Sequence, residues 1–79
     1  MNNQLQNNFK SLRVRSGLIQ EEVAKMLGIS RQQYITYENN PNIIKIDILL
    51  KLSKIFKCDI NEFFLNINIT ENYKQREEE

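Results

Sequence analysis

Apolar positions recur along this chain in steps of three and four, and the register of those steps predicts five helices followed by a strand. Leu5, Phe9 and Leu12 are spaced by four and three, which puts them on one face of a first helix. Gly17 ends it, and Arg13 and Arg15 sit in its last turn, where cations suit the carbonyl end of a helix dipole. A second helix, about 20–27, turns Val23, Ala24 and Leu27 inward, and Gly28 supplies a left-handed turn after it. Ser30-Arg31-Gln32-Gln33 has the spacing of a capping box and opens a third helix, which Asn39-Asn40-Pro41-Asn42 closes. A fourth, about 46–56, groups Ile46, Leu49, Leu50, Leu52, Ile55 and Phe56 on a broad apolar face, although Lys45 is a weak cap for it. Asp59-Ile60-Asn61-Glu62 is a second capping box, opening a short fifth helix that carries Ile60, Phe63 and Phe64. There the period changes. Leu65, Ile67 and Ile69 alternate with Asn66, Asn68 and Thr70, which predicts a strand over residues 65–70. Residues 71–79 are read as a disordered acidic tail.

Composition narrows the function. Seventy-nine residues with 41% hydrophobic content make one domain with a small helical core. No apolar run approaches the roughly 20 residues that cross a bilayer, and the polar start MNNQLQNN lacks a signal-peptide stretch, so a cytoplasmic, membrane-free protein is expected. Cys58 has no partner for an internal disulfide and is expected to be a buried thiol, not a redox sensor. The absence of histidine removes the usual general base and, with one cysteine, any recognisable zinc site. The expectation is therefore no enzyme, no metal, no cofactor and no small-molecule ligand. The net charge of +1 conceals an asymmetry: residues 1–57 hold nine cations against four anions, a net +5, and residues 58–79 hold two against six, a net −4. A basic body suits phosphate contact.

Residues 20–39 carry the sharpest signal. Two short helices joined at Gly28-Ile29 have the layout of a helix-turn-helix, with small Ala24 where the helices come close. On a helical wheel Tyr34 and Tyr37 fall on one side, and Arg31, Gln32, Ile35 and Thr36 on the other, with Gln33 flanking. Arg and Gln can make bidentate contacts with guanine and adenine edges, and Ile35 and the Thr36 methyl can pack on thymine methyls. The same residues are also ordinary on a solvated helix face. The inward i, i+3 placement of the tyrosines favours a core role over base stacking. Gln20 opens the second helix, where free backbone amides attract phosphate.

LRVRSGLIQEEVAKMLGISRQQYITYENN, with LLKLSKIFKCDINEFF after it, resembles the Xre family of phage-repressor (Cro/repressor) type helix-turn-helix proteins over residues 5–64. The resemblance implies an all-α, five-helix repressor-like domain that binds double-stranded DNA. It further implies a structural ion pair between Arg13 and Glu38, and base-facing roles for Arg31, Gln32, Gln33, Ile35 and Thr36. Gln20 and Asn39 would touch the phosphate backbone; Asn42 and Lys45 complete the expected phosphate set. The chain departs from the family pattern at Ile19, which cannot cap the second helix, at Asn40 in place of a turn glycine, and at Ile44 in place of a proline.

A lone strand over 65–70 would have an unpaired edge. Pairing with its copy resolves that, making Phe64, Leu65, Ile67 and Ile69 the expected homodimer interface; a frayed end after the fifth helix is the other reading. The whole points to a homodimeric transcriptional repressor reading an inverted repeat. The alternative is an antitoxin or accessory protein whose main role is to hold a partner protein.

Overall fold

The structure, a computed structural model, describes residues 3–67. Four α-helices form: α1 (Asn3–Arg15), α2 (Gln20–Leu27), α3 (Arg31–Asn39) and α4 (Ile46–Ile55). Two 3₁₀ helices, Pro41–Ile43 and Ile60–Phe64, follow α3 and α4. The fifth helix of the sequence reading is thus a 3₁₀ helix. Five residues are too few to propagate an α-helix, and a three-residue turn suffices to drop Phe63 into the core.

The predicted strand is not present among the described residues. Leu65 is extended, but Asn66 takes a left-handed φ of 65° and the Ile67 amide folds back onto the Phe64 carbonyl. On α1, Asn8 donates to the Phe63 carbonyl at 2.9 Å and to the Leu65 carbonyl at 2.8 Å, holding the end of the 3₁₀ helix and the residue after it against α1. Ile67 packs against the core, so the chain folds back there and does not run on as an extended strand. Residues 68–79, including Ile69 and the acidic tail, lie outside the described residues.

Three helices end the same way. At Gly17, Gly28 and Lys57 the chain turns left-handed, with φ of 77°, 76° and 53°. In each case the next amide reaches back to the carbonyl five residues earlier: Leu18 to Arg13, Ile29 to Ala24, Cys58 to Ser53. Glycine serves the first two without strain; the third carries a lysine, whose Cβ crowds the backbone there.

The N-termini are capped unevenly. Ile19 offers α2 no side-chain cap, but Glu22 accepts from the Ile19 amide at 2.9 Å, supplying half of a capping box from the other end. Ser30 accepts from the Gln33 amide at 3.0 Å, while the Gln33 side chain does not return to Ser30; it donates to the Tyr37 hydroxyl instead. Lys45 does not cap α4, and Asp47 accepts from the Ile48 amide in its place. Asn40 does not adopt a glycine-like turn, since its φ is −139°; Pro41 starts a 3₁₀ helix directly. Ile44 donates its amide to the Pro41 carbonyl at 3.0 Å, a bond that proline at this position would lack.

Each element contributes a narrow stripe to one core. Leu5, Phe9 and Leu12 come from α1, Val23, Ala24 and Leu27 from α2, and Leu49 and Leu52 from α4, with Phe56 just beyond its end. Phe63 stacks against Phe9 with ring centroids 4.4 Å apart and is fully buried. Burial of each such side chain contributes about 1.5–3 kcal/mol. From α3 only Tyr34 and Glu38 are buried, one helical turn apart. The fourth helix corrects the sequence reading on one flank: Ile46 and Leu50 are exposed, as is Phe64.

Glu38 is the polar centre of the fold. Its carboxylate accepts from Arg13 Nε at 2.7 Å and Nη2 at 3.3 Å, from the Tyr34 hydroxyl at 3.0 Å and from Gln20 Nε2 at 2.8 Å. Arg13 Nη1 donates in addition to the Leu18 carbonyl at 2.9 Å. The network therefore joins α1, the turn after it, α2 and α3. The bonds to Glu38 raise the Arg13 pKa against the opposing effect of burial. Burial, reinforced by Glu38, pushes the Tyr34 hydroxyl well above its ordinary value, so it remains a proton donor. Among the described residues no buried side-chain polar atom is left without a partner.

Glu38→Ala should lose about 3–5 kcal/mol in urea unfolding, because Arg13 would stay buried without a counter-charge. A loss under about 1 kcal/mol would show that the pair is not the anchor described. Lys57→Gly should gain about 0.5–1 kcal/mol by relieving its left-handed backbone, and Lys57→Ala should not.

Candidate nucleic-acid interface

Because α3 buries so little, most of its surface is outward. Arg31, Gln32, Gln33 and Thr36 are exposed and Ile35 is half-buried, while Tyr34 is fully buried and Tyr37 half-buried against the core. The structure thus brings the five sequence-predicted base-facing residues to one surface of one short helix. With nine residues α3 is about 13 Å long and slim enough for a groove about 12 Å wide. Thr36 donates its hydroxyl to the Gln32 carbonyl at 3.1 Å. The Gln33 amide is held at 3.3 Å from the Tyr37 hydroxyl.

Beside this face lies a polar cleft of about 380 Å³ between α1, the start of α2 and the end of α3. Gln20 and Asn39 both line it, together with Gln6, Asn7, Lys10, Arg13 and Glu38. Gln20 is not idle there: one N–H of its amide is spent on Glu38, which leaves the second N–H for a ligand. Gln6 donates to the Asn39 carbonyl and so ties α1 to the end of α3. Asn42 and Lys45 are exposed but do not line this cleft. Asn42 borders a different, apolar groove.

Gln6 and Lys10, which the sequence reading does not single out, also line the cleft. The available signal was spacing: Gln6, Lys10 and Arg13 follow each other at four and three on α1, so the ridge that carries Arg13 to Glu38 also carries them to the cleft.

The apolar groove, of about 230 Å³, is lined by Leu5, Phe9, Pro41, Asn42, Ile44, Leu49 and Phe64. Of the expected dimer residues, Phe64 and Leu65 are exposed at 40% and 54%, while Ile67 turns inward. Ile46 and Leu50, one turn apart on α4 beside Leu49, are exposed at 65% and 47%. The apolar surface therefore extends along α4 instead of along a strand.

Cys58 is half-buried, and burial raises its thiol above the ordinary range, with nearby Glu62 adding to the shift. Glu62 itself pairs with Arg15 at 3.0 Å on the surface, and that bond lowers its carboxyl below the usual value. Among the described residues no group of three or more His, Cys, Asp or Glu side chains could hold a metal ion, and no helix is long and apolar enough to cross a membrane.

Residues 9–63 match the family model described as helix-turn-helix. The chain is similar to the cryptic phage CTXphi transcriptional repressor RstR of Vibrio cholerae, with 33% identity over 70 residues, 86% of this chain and 63% of that one. It is 32% identical over 54 residues to a putative helix-turn-helix-type transcriptional regulatory protein of Thermococcus gammatolerans, covering 68% of this chain and 17% of the relative. An uncharacterised helix-turn-helix-type transcriptional regulator of Methanocaldococcus jannaschii is 33% identical over 61 residues, 77% of this chain and 92% of that protein. The chain thus spans less than two thirds of the first two relatives and nearly all of the third. No solved structure matches. With the matched span running from Phe9 to Phe63, the two rings that close the core, the chain belongs to the Xre-type helix-turn-helix family.

Proposed function

We propose that this protein is a sequence-specific, double-stranded DNA-binding transcriptional regulator that acts as a homodimeric repressor, with α3 lying in the major groove. The observation that carries the reading is the outward face of α3. Arg31, Gln32, Gln33 and Thr36 stand exposed on a helix whose opposite side is fastened by Tyr34 and Glu38. An arginine and two glutamines in the first turn supply the donor and acceptor pairs that discriminate guanine and adenine, and Ile35 and the Thr36 methyl suit thymine. The name of the Vibrio relative, a transcriptional repressor, favours repression. Occlusion of a promoter is the simplest way for a domain of this size to repress.

Gln20 and Asn39, with Lys10 beside them in the polar cleft, are the groups we assign to phosphate; Asn42 and Lys45 extend that set along the following loop. One α3 reads only a few base pairs, so two copies related by a two-fold axis would read an inverted repeat. We assign the dimer contact to the exposed apolar residues Ile46, Leu50, Phe64 and Leu65, a surface that shares Phe64 with the groove beside Leu49.

Selection from a random pool of duplex DNA at near-physiological salt tests the reading. An inverted repeat with half-sites about 10 base pairs apart should be enriched, and affinity should fall steeply as salt rises. Arg31→Ala should flatten the preference at one position of each half-site, whereas Gln20→Ala should weaken binding to all sequences alike. Uniform salt-sensitive binding without enrichment would instead favour a protein whose main task is to hold a partner protein. Leu50→Asp with Phe64→Asp should yield a monomer by light scattering; a persisting dimer would rule out this contact surface.

A further inference from the structure

The hydrogen bond between Gln33 and Tyr37 is peripheral to the fold, since the Gln33 side chain is exposed and the Tyr37 ring packs against the core without it. Gln33 is exposed, its backbone amide is capped by Ser30, and Tyr37 packs its ring against the core. Their four-residue spacing makes them neighbours on the helix, and Gln33 Nε2 donates to the Tyr37 hydroxyl at 3.3 Å.

A glutamine amide has two faces to offer. With its nitrogen bound to a neighbour, it presents the carbonyl oxygen and one N–H together, a pattern that complements the N6 amino group and N7 of adenine. With its oxygen bound instead, it presents two N–H donors, which suit the O6 and N7 acceptors of guanine. A phenol hydroxyl can accept from nitrogen or donate to oxygen, so either arrangement is chemically open; the structure holds the first.

We propose that Tyr37 is a specificity-positioning residue: its hydroxyl, fixed by the packed ring, sets the Gln33 amide in the adenine-reading orientation before DNA arrives. This rests on the reading that α3 faces the bases. The gain is preorganisation. A long, exposed glutamine otherwise loses rotamer freedom when it docks and is equally available in its guanine-reading form.

Random-pool selections run in parallel on the unaltered protein, Tyr37→Phe, Gln33→Ala and the double variant test the proposal. The unaltered protein should prefer adenine at one position of each half-site, and Gln33→Ala should abolish that preference. Tyr37→Phe keeps the ring and should reduce the same preference by roughly three- to tenfold. Preferences at other positions and the thermal unfolding midpoint should not change. In the double variant the hydroxyl deletion should add nothing. The proposal is overturned if Tyr37→Phe leaves the preference intact while Gln33→Ala removes it, an outcome that would leave DNA reading by α3 standing. It is overturned too if Tyr37→Phe weakens every position equally, or if the preference governed by Gln33 is for guanine. An undiminished preference in Gln33→Ala would remove Gln33 as a base reader and this proposal with it, while the Arg31 variant still judges the groove assignment separately.

Discussion

The carboxylate of Glu38 is the constraint around which the domain is arranged. A helix that must show a polar face outward can bury only a thin stripe, and α3 buries one tyrosine and this acid. An acid in such a place would be costly without partners, so four donors converge on it from Arg13, Tyr34 and Gln20. The consequence is geometric. Those donors belong to α1, α2 and α3 itself, so satisfying one buried charge also fixes how α3 is inclined to the rest of the molecule. Hydrophobic burial assembles the other elements but is nearly indifferent to small rotations of α3; directional bonds to a carboxylate are not.

That arrangement links the anchoring of the helix to its outward surface. Gln20 divides its amide between Glu38 and the polar cleft, so a group arriving in the cleft meets a side chain already braced against the centre of the fold. Gln6 adds a second tie, from α1 to the last residue of α3. Lys10 stands between Gln6 and Arg13 on the same ridge of α1, and the basic residues concentrate before residue 58.

Much of this was legible in the sequence because it follows from spacing. The inward Tyr34, the outward Arg31, Gln32 and Thr36, and the glycine turns at 17 and 28 are consequences of helical periodicity and of a missing Cβ. The Arg13–Glu38 pair was accessible only through resemblance, since its partners are 25 residues apart and no local rule joins them. What could not be read was where the backbone reverses. Alternation at Leu65, Ile67 and Ile69 suggests a strand, but the pattern does not reveal that Asn66 turns left-handed and sends the Ile67 amide back to the Phe64 carbonyl. The apolar pattern of α4 likewise overstates its buried face: Ile46 and Leu50 fit the helical stripe, yet among the described residues both are exposed.

The thinness of the buried stripe on α3 has an evolutionary corollary. Positions 31, 32 and 36 have side chains with no part in the core, so mutation there is close to neutral for folding. If these positions read bases as proposed, a lineage can drift through new target sequences there without first acquiring surplus stability, and exposed Gln33 is as free to change as far as folding is concerned. Under the proposed function, recognition can therefore change along this outward face while the bonds to Glu38 keep the helix in place.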